Sequence, residues 1–112
     1  MLKAEVIDNV TVVSFQNVTR LNALIADQVK TELNSFFSKP NMKLVLNLEG
    51  VTFIDSSGFG VFLSVMKTAN NSYGQFKICN IAPEVMELFK LLQLHNVFEI
   101  YSTTEDCIKS FH

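Results

Sequence analysis

The chain has 112 residues, 48% hydrophobic and 18% charged, with ten Phe and no Trp. That content supports a compact core, argues against disorder and points to one domain over residues 1–112. A net charge of −2, with Arg20 the sole arginine, gives no basic footprint for nucleic acid.

Residues 2–7 mix apolar and charged side chains, as in an edge strand; Asp8-Asn9 reads as a turn and the β-branched run 10–15 as the hairpin partner. Residues 16–21 are polar and irregular. Asn22 is placed to cap a helix in which Ile25, Val29, Leu33, Phe36 and Phe37 recur at helical spacing, and Pro40-Asn41 ends it. The run 44–48 is the most continuously apolar short stretch, as expected of a strand buried on both faces. A helix over about 57–70 follows, with Val61, Phe62, Val65, Met66 and Ala69 facing inward. Residues 75–81 read as a strand, and Pro83 starts a third helix whose apolar side is Val85, Leu88, Phe89 and Leu92. A last strand is expected over 97–101, then a helix through 111 capped by Ser102 or Thr103. The order ββαβαβαβα predicts an α/β fold, a mixed, largely parallel sheet of about four to five strands with helices packed against it. Cys79, in a strand, and Cys107, on a helix, read as buried free thiols. Met1-Leu2-Lys3-Ala4-Glu5 lacks the basic-then-apolar order of a signal peptide, and no apolar run approaches the ~20 residues that span a bilayer. A cytoplasmic protein with no membrane insertion is expected.

Between the apolar strand and the second long helix lies Thr52-Phe53-Ile54-Asp55-Ser56-Ser57-Gly58-Phe59-Gly60-Val61. Two adjacent hydroxyls thus sit at a strand-to-helix corner, where unpaired N–H groups and the positive end of the helix dipole favour an anion. The same residues also fit a capped loop with no function, since Asp, Ser and Gly are ordinary at helix starts and turns. One capping residue would suffice for that, yet three polar residues follow one another. Gly58 and Gly60 would each cost roughly 0.5–1 kcal/mol relative to Ala within a helix. Phe59, between the glycines, is expected to point outward as a partner-facing anchor. No catalytic residue, metal ligand or cofactor is expected. His95 and His112 lack ligand spacing, Ser56 has no assignable base, and no Gly-Lys-Ser/Thr follows the glycines.

Val45-Leu46-Asn47-Leu48, followed by Val51 through Val61 with Asp55-Ser56-Ser57-Gly58 at its centre, resembles the signature of STAS domains, the sulfate transporter and anti-sigma factor antagonist domains. The resemblance extends over essentially the whole chain, with 81–94 and 97–100 similar to the family's closing helix and strand. It implies that Ser56, the serine after the aspartate, is phosphorylated by a partner anti-sigma factor that is also a serine kinase. The unphosphorylated form would bind that partner and so release a sigma factor, and a serine phosphatase would reset the switch. Ser57 is the alternative acceptor. Asn22, Asp55, Ser57, Gly58, Phe59 and Gly60 are expected at the partner-binding surface, and a phosphate at Ser56 to be held by backbone donors at the helix start. Two positions depart from the family pattern: Asn22 stands where many antagonists carry aspartate, and Gln93 where glycine is common after the third helix. A constitutive STAS adaptor subunit of a cytoplasmic or membrane transport complex is the alternative function.

Overall fold

In the computed structural model, which describes residues 1–112 throughout, Asp8 and Asn9 take φ of 50° and 68°. Both are left-handed, as a type I′ turn requires, and both residue types tolerate that region. The turn folds Leu2–Ile7 (β1) antiparallel onto Val10–Phe15 (β2) in unbroken register. The chain continues through Arg20–Leu21 (β3), Ala23–Ser35 (α1), Lys43–Asn47 (β4), Phe53–Ile54 (β5) and Ser56–Asn71 (α2). Gln75–Cys79 (β6), Pro83–Leu91 (α3), a 3-10 turn at Leu94–Asn96, Glu99–Tyr101 (β7) and Thr104–Lys109 (α4) complete it. The main sheet has five strands in the order β1-β2-β4-β6-β7, parallel from β2 onward. The expected mixed, mostly parallel α/β fold is what forms.

Successive residues of a strand point to opposite faces, and the central strands show it directly. Leu44 and Leu46 of β4 enter a core of 21 buried residues shared with α1, α2 and α3. Val45, between them, joins Val10, Val12, Cys79, Cys107 and Ile108 beneath α4. All three β4 residues are fully buried, so β4 is covered on both faces. In the larger core Phe59, Phe62, Phe76, Phe89 and Phe98 meet mostly edge-to-face, with centroids 5.0–6.3 Å apart, the packing their ring quadrupoles favour.

The α4 face holds the fold's one buried cation. Lys77 is 3% exposed. Its ammonium donates to Ser110 Oγ (2.9 Å) and Ser110 O (3.3 Å), pairs with Glu99 at 3.3 Å and lies 4.2 Å from the Phe111 ring centroid. A positive charge at the C-terminal end of α4 also complements the helix dipole. Cys79 and Cys107 are buried free thiols on this same face. The neighbouring Cys79 thiol, and then burial, pushes the Cys107 thiol above the usual thiol range, so it stays protonated.

The reading of residues 16–21 as irregular and of 52–54 as part of the corner misses β3 and β5, which pair parallel as a separate two-stranded sheet, Arg20 with Phe53 and Leu21 with Ile54. Two-residue strands carry no period that could be read. The last strand also starts later than expected, because the chain first closes the 3-10 turn, and α4 ends at Lys109. Thr103, rather than Ser102, caps α4. No helix is long and apolar enough to cross a membrane.

Gly58 and Gly60 sit two residues apart in α2 with opposite surroundings. A Cβ on Gly58 would lie 2.5 Å from Ile54 Cγ2 and 3.0 Å from both Leu21 Cγ and Leu21 O, whereas one on Gly60 would meet nothing within 4 Å. Gly58→Ala should therefore destabilise the fold by about 1–3 kcal/mol through overpacking. Gly60→Ala should stabilise it by about 0.5–1 kcal/mol through helix propensity. Urea unfolding of the pair reads both signs, and equal effects would refute the packing account. Gln93 holds φ 57°, ψ 27° just after α3, a left-handed position that disfavours a Cβ. Gln93→Gly should gain about 0.5–1 kcal/mol in the same assay.

Candidate functional site

Asp55 leaves β5 in extended backbone (φ −98°, ψ −174°) and caps α2. Its Oδ1 accepts from the Ser57 N–H at 2.9 Å and the Gly58 N–H at 3.2 Å, and its carbonyl accepts from the Phe59 N–H at 3.2 Å. Its own N–H donates to Leu21 O at 3.2 Å, which ties the corner to β3. The donors of the first helical turn are thus largely committed, and only the Ser56 N–H remains without a partner. The expected backbone cradle for a phosphate shrinks to that one group, because the Asp55 carboxylate already occupies the anion position at the helix start.

Ser56 is exposed and its hydroxyl makes no hydrogen bond within the protein; Ser57 is half-buried. Asn22 is the counterpart of Asp55 on α1. Its side chain accepts from the Leu24 N–H at 3.0 Å. Leu21 and Ile54 are register partners, so the residues that follow them, Asn22 and Asp55, begin two helices at the same end of a shared support. Downstream, α1 and α2 leave a groove of about 420 Å³ whose lining includes Ala23, Asp27 and Lys30 on one side and Ser57, Gly60 and Ser64 on the other. It stays open because its α2 wall is built from small side chains.

Two expected surface residues face inward. Phe59 is 5% exposed and packs edge-to-face on Phe89 at 5.0 Å and Phe62 at 6.2 Å. It lies one turn before Phe62, on the stripe of α2 that faces the core, so helical phase decides its direction and the flanking glycines do not. It is a core residue, not an outward anchor. Gly58 is buried as well, seated against β3 and β5. The structure brings Asn22, Asp55, Ser56, Ser57 and Gly60 to one accessible end, with Gly58 and Phe59 behind them.

Two neighbours were not selected from sequence. Arg20 lies over the Phe53 ring, 4.0 Å from its centroid, and places a cation on the strand beside the corner. Leu24, in the first turn of α1, is 92% exposed. Its signal was available: Ala26, Val29 and Leu33 define the buried stripe of α1, and position 24 falls off it. No group of three or more His, Cys, Asp and Glu side chains is arranged to hold a metal ion.

A family model for the STAS domain matches residues 1–107. BtrV of Bordetella bronchiseptica, a provisionally assigned anti-sigma factor antagonist, is 27% identical over 110 residues, 98% of this chain and 93% of its own length. The structure of an anti-sigma-factor antagonist (STAS) domain protein from Planctomyces limnophilus matches with a TM-score of 0.89 at 23% identity, covering 97% of this chain and 96% of that one. The Bacillus cell fate determinant SpoIIAA in its phosphorylated form matches with a TM-score of 0.70 at 20% identity over the full length of both chains. With the family model spanning nearly all of its residues and the fold agreeing, this chain belongs to the STAS domain family.

Proposed function

We propose that this protein is a cytoplasmic anti-sigma factor antagonist that works by partner switching. Unphosphorylated, it docks the corner formed by the α1 and α2 starts onto an anti-sigma factor that is also a serine kinase. Transfer of phosphate to Ser56 Oγ ends that contact, and a serine phosphatase restores it. The chain supplies the acceptor hydroxyl and the docking surface, while catalysis belongs to the partners.

The observation that carries this reading is the state of Ser56. It is exposed, its hydroxyl is unused by the fold, and it directly follows a capping carboxylate that already holds the helix donors. A phosphate there adds about −1.5 to −2 charge. It finds few free donors in the corner and so stays directed at solvent, beside the negative Asp55. The fold has no reason to rearrange, and the effect falls on the partner, which meets like charge and a bulky hydrated group at the contact. Leu24, Gly60 and the groove between the helices give that contact its apolar and close-packed part. The antagonist names of the relatives and a SpoIIAA structure in phosphorylated form support the same direction.

The test is incubation with the cognate kinase and ATP, read by intact mass and peptide mapping. One phosphate is expected at Ser56, lost in Ser56→Ala and kept in Ser57→Ala. Ser56→Glu is expected to weaken partner binding by about tenfold or more, that is ≥1.4 kcal/mol. Full affinity of the Ser56→Glu variant, together with no phosphate in the wild type, would instead point to a constitutive adaptor of a transport complex.

A further inference from the structure

The free edge of β1 is unusual for an exposed strand. It carries no proline and no bulge, its register with β2 runs unbroken from Leu2–Phe15 to Ile7–Val10, and residues 3–7 are all exposed. Val6 is 70% exposed and Ile7 37%. Such an edge offers unpaired backbone groups to any strand that fits it.

Which groups it offers follows from the hairpin. The Gln16 N–H donates to Met1 O at 2.7 Å, and the two-residue turn closes on the Ile7–Val10 pair. The odd-numbered residues of β1 therefore bond to β2. Leu2, Ala4 and Val6 point their N–H and C=O groups outward. Their side chains share the face on which Leu2 and Phe15 join the main core. Lys3 and Glu5 lie on the opposite face.

We infer that this edge pairs antiparallel with the β1 edge of a second copy, on a two-fold axis at Ala4. In that register Ala4 bonds to its own symmetry mate and Leu2 bonds to Val6 of the other copy. Lys3 then sits opposite Glu5 in a non-hydrogen-bonded pair, where Cβ atoms approach to about 4.5–5.5 Å. The two-fold repeats each pair, giving two ion pairs on one face and Leu2–Val6 contacts on the other. The neighbouring registers are excluded by charge. Moving the axis to Lys3 opposes two lysines, and moving it to Glu5 opposes two glutamates. The single lysine that would guard the edge against strangers thus becomes a code for self-recognition. The product is one continuous sheet, five strands from each copy. It uses no residue of the Ser56 corner, so either reading can fail without the other.

Sedimentation velocity on the full chain, from micromolar to near-millimolar concentration, tests this. Wild type is expected to shift reversibly from monomer to dimer. Lys3→Glu and Glu5→Lys should each raise the dimer Kd at least about tenfold. An equimolar mixture of those two variants should recover the dimer, because every cross-strand pair is again of opposite sign, and so should the double swap within one chain. Val6→Pro, which removes an outward donor that β2 does not use, should abolish the dimer with an unchanged circular dichroism spectrum. A wild type that stays monomeric throughout, or a dimer indifferent to the charge swaps, overturns the inference.

Discussion

At Gly58 there is room for a hydrogen and little else. Helix α2 rests there on Ile54 and on the backbone and side chain of Leu21, closer than any side chain would allow. That approach sets how far the first turn of α2 stands from the β3–β5 pair. It also keeps the Asp55 N–H within reach of Leu21 O. The positions of Asp55 and Asn22, and the direction in which Ser56 is presented, all follow from this one contact. A glycine here is a packing requirement, whereas at Gly60 a side chain would meet nothing within 4 Å, and the glycine keeps a surface low.

Helix α2 divides its labour by face. Phe59, Phe62, Val65 and Ala69 anchor it in the core, and Ser57, Gly60 and Ser64 line the groove toward α1. The anchor makes the exposed side dependable, because a helix held by interlocked aromatic rings presents its outer residues at fixed positions. The two caps differ in charge and agree in geometry. Asn and Asp cap helices about equally well, so Asn22 preserves the start of α1 while leaving Asp55 as the one carboxylate among the two caps. Asparagine rather than aspartate at position 22 thus alters the charge at this end of the molecule and leaves the cap geometry intact.

Where a segment had a period, it was legible. The hairpin, the long helices, the doubly buried β4 and the cap at Asn22 all stand where alternation, helical spacing or capping chemistry put them. What was not legible depends on contacts that no short stretch of sequence carries. The glycines beside Phe59 suggest an outward ring, yet the phase set by Phe62 and Val65 reaches back one turn and turns it inward. The β3–β5 pair has no local signal, since each strand is stabilised only by a partner far along the chain. Lys77, buried within β6, is decided by where Ser110 and Phe111 arrive in space.

That distant pairing bears on when the corner comes into being. Leu21 and Ile54 are 33 residues apart (54 − 21), with α1 and β4 between them. The β1–β2 hairpin can close on its own during synthesis, but this pair must wait for a long loop to close and for the intervening elements to pack. A nascent or partly melted chain therefore contains Ser56 without the ledge that displays it. Any protein that recognises the assembled corner is, in effect, inspecting whether the chain has finished folding.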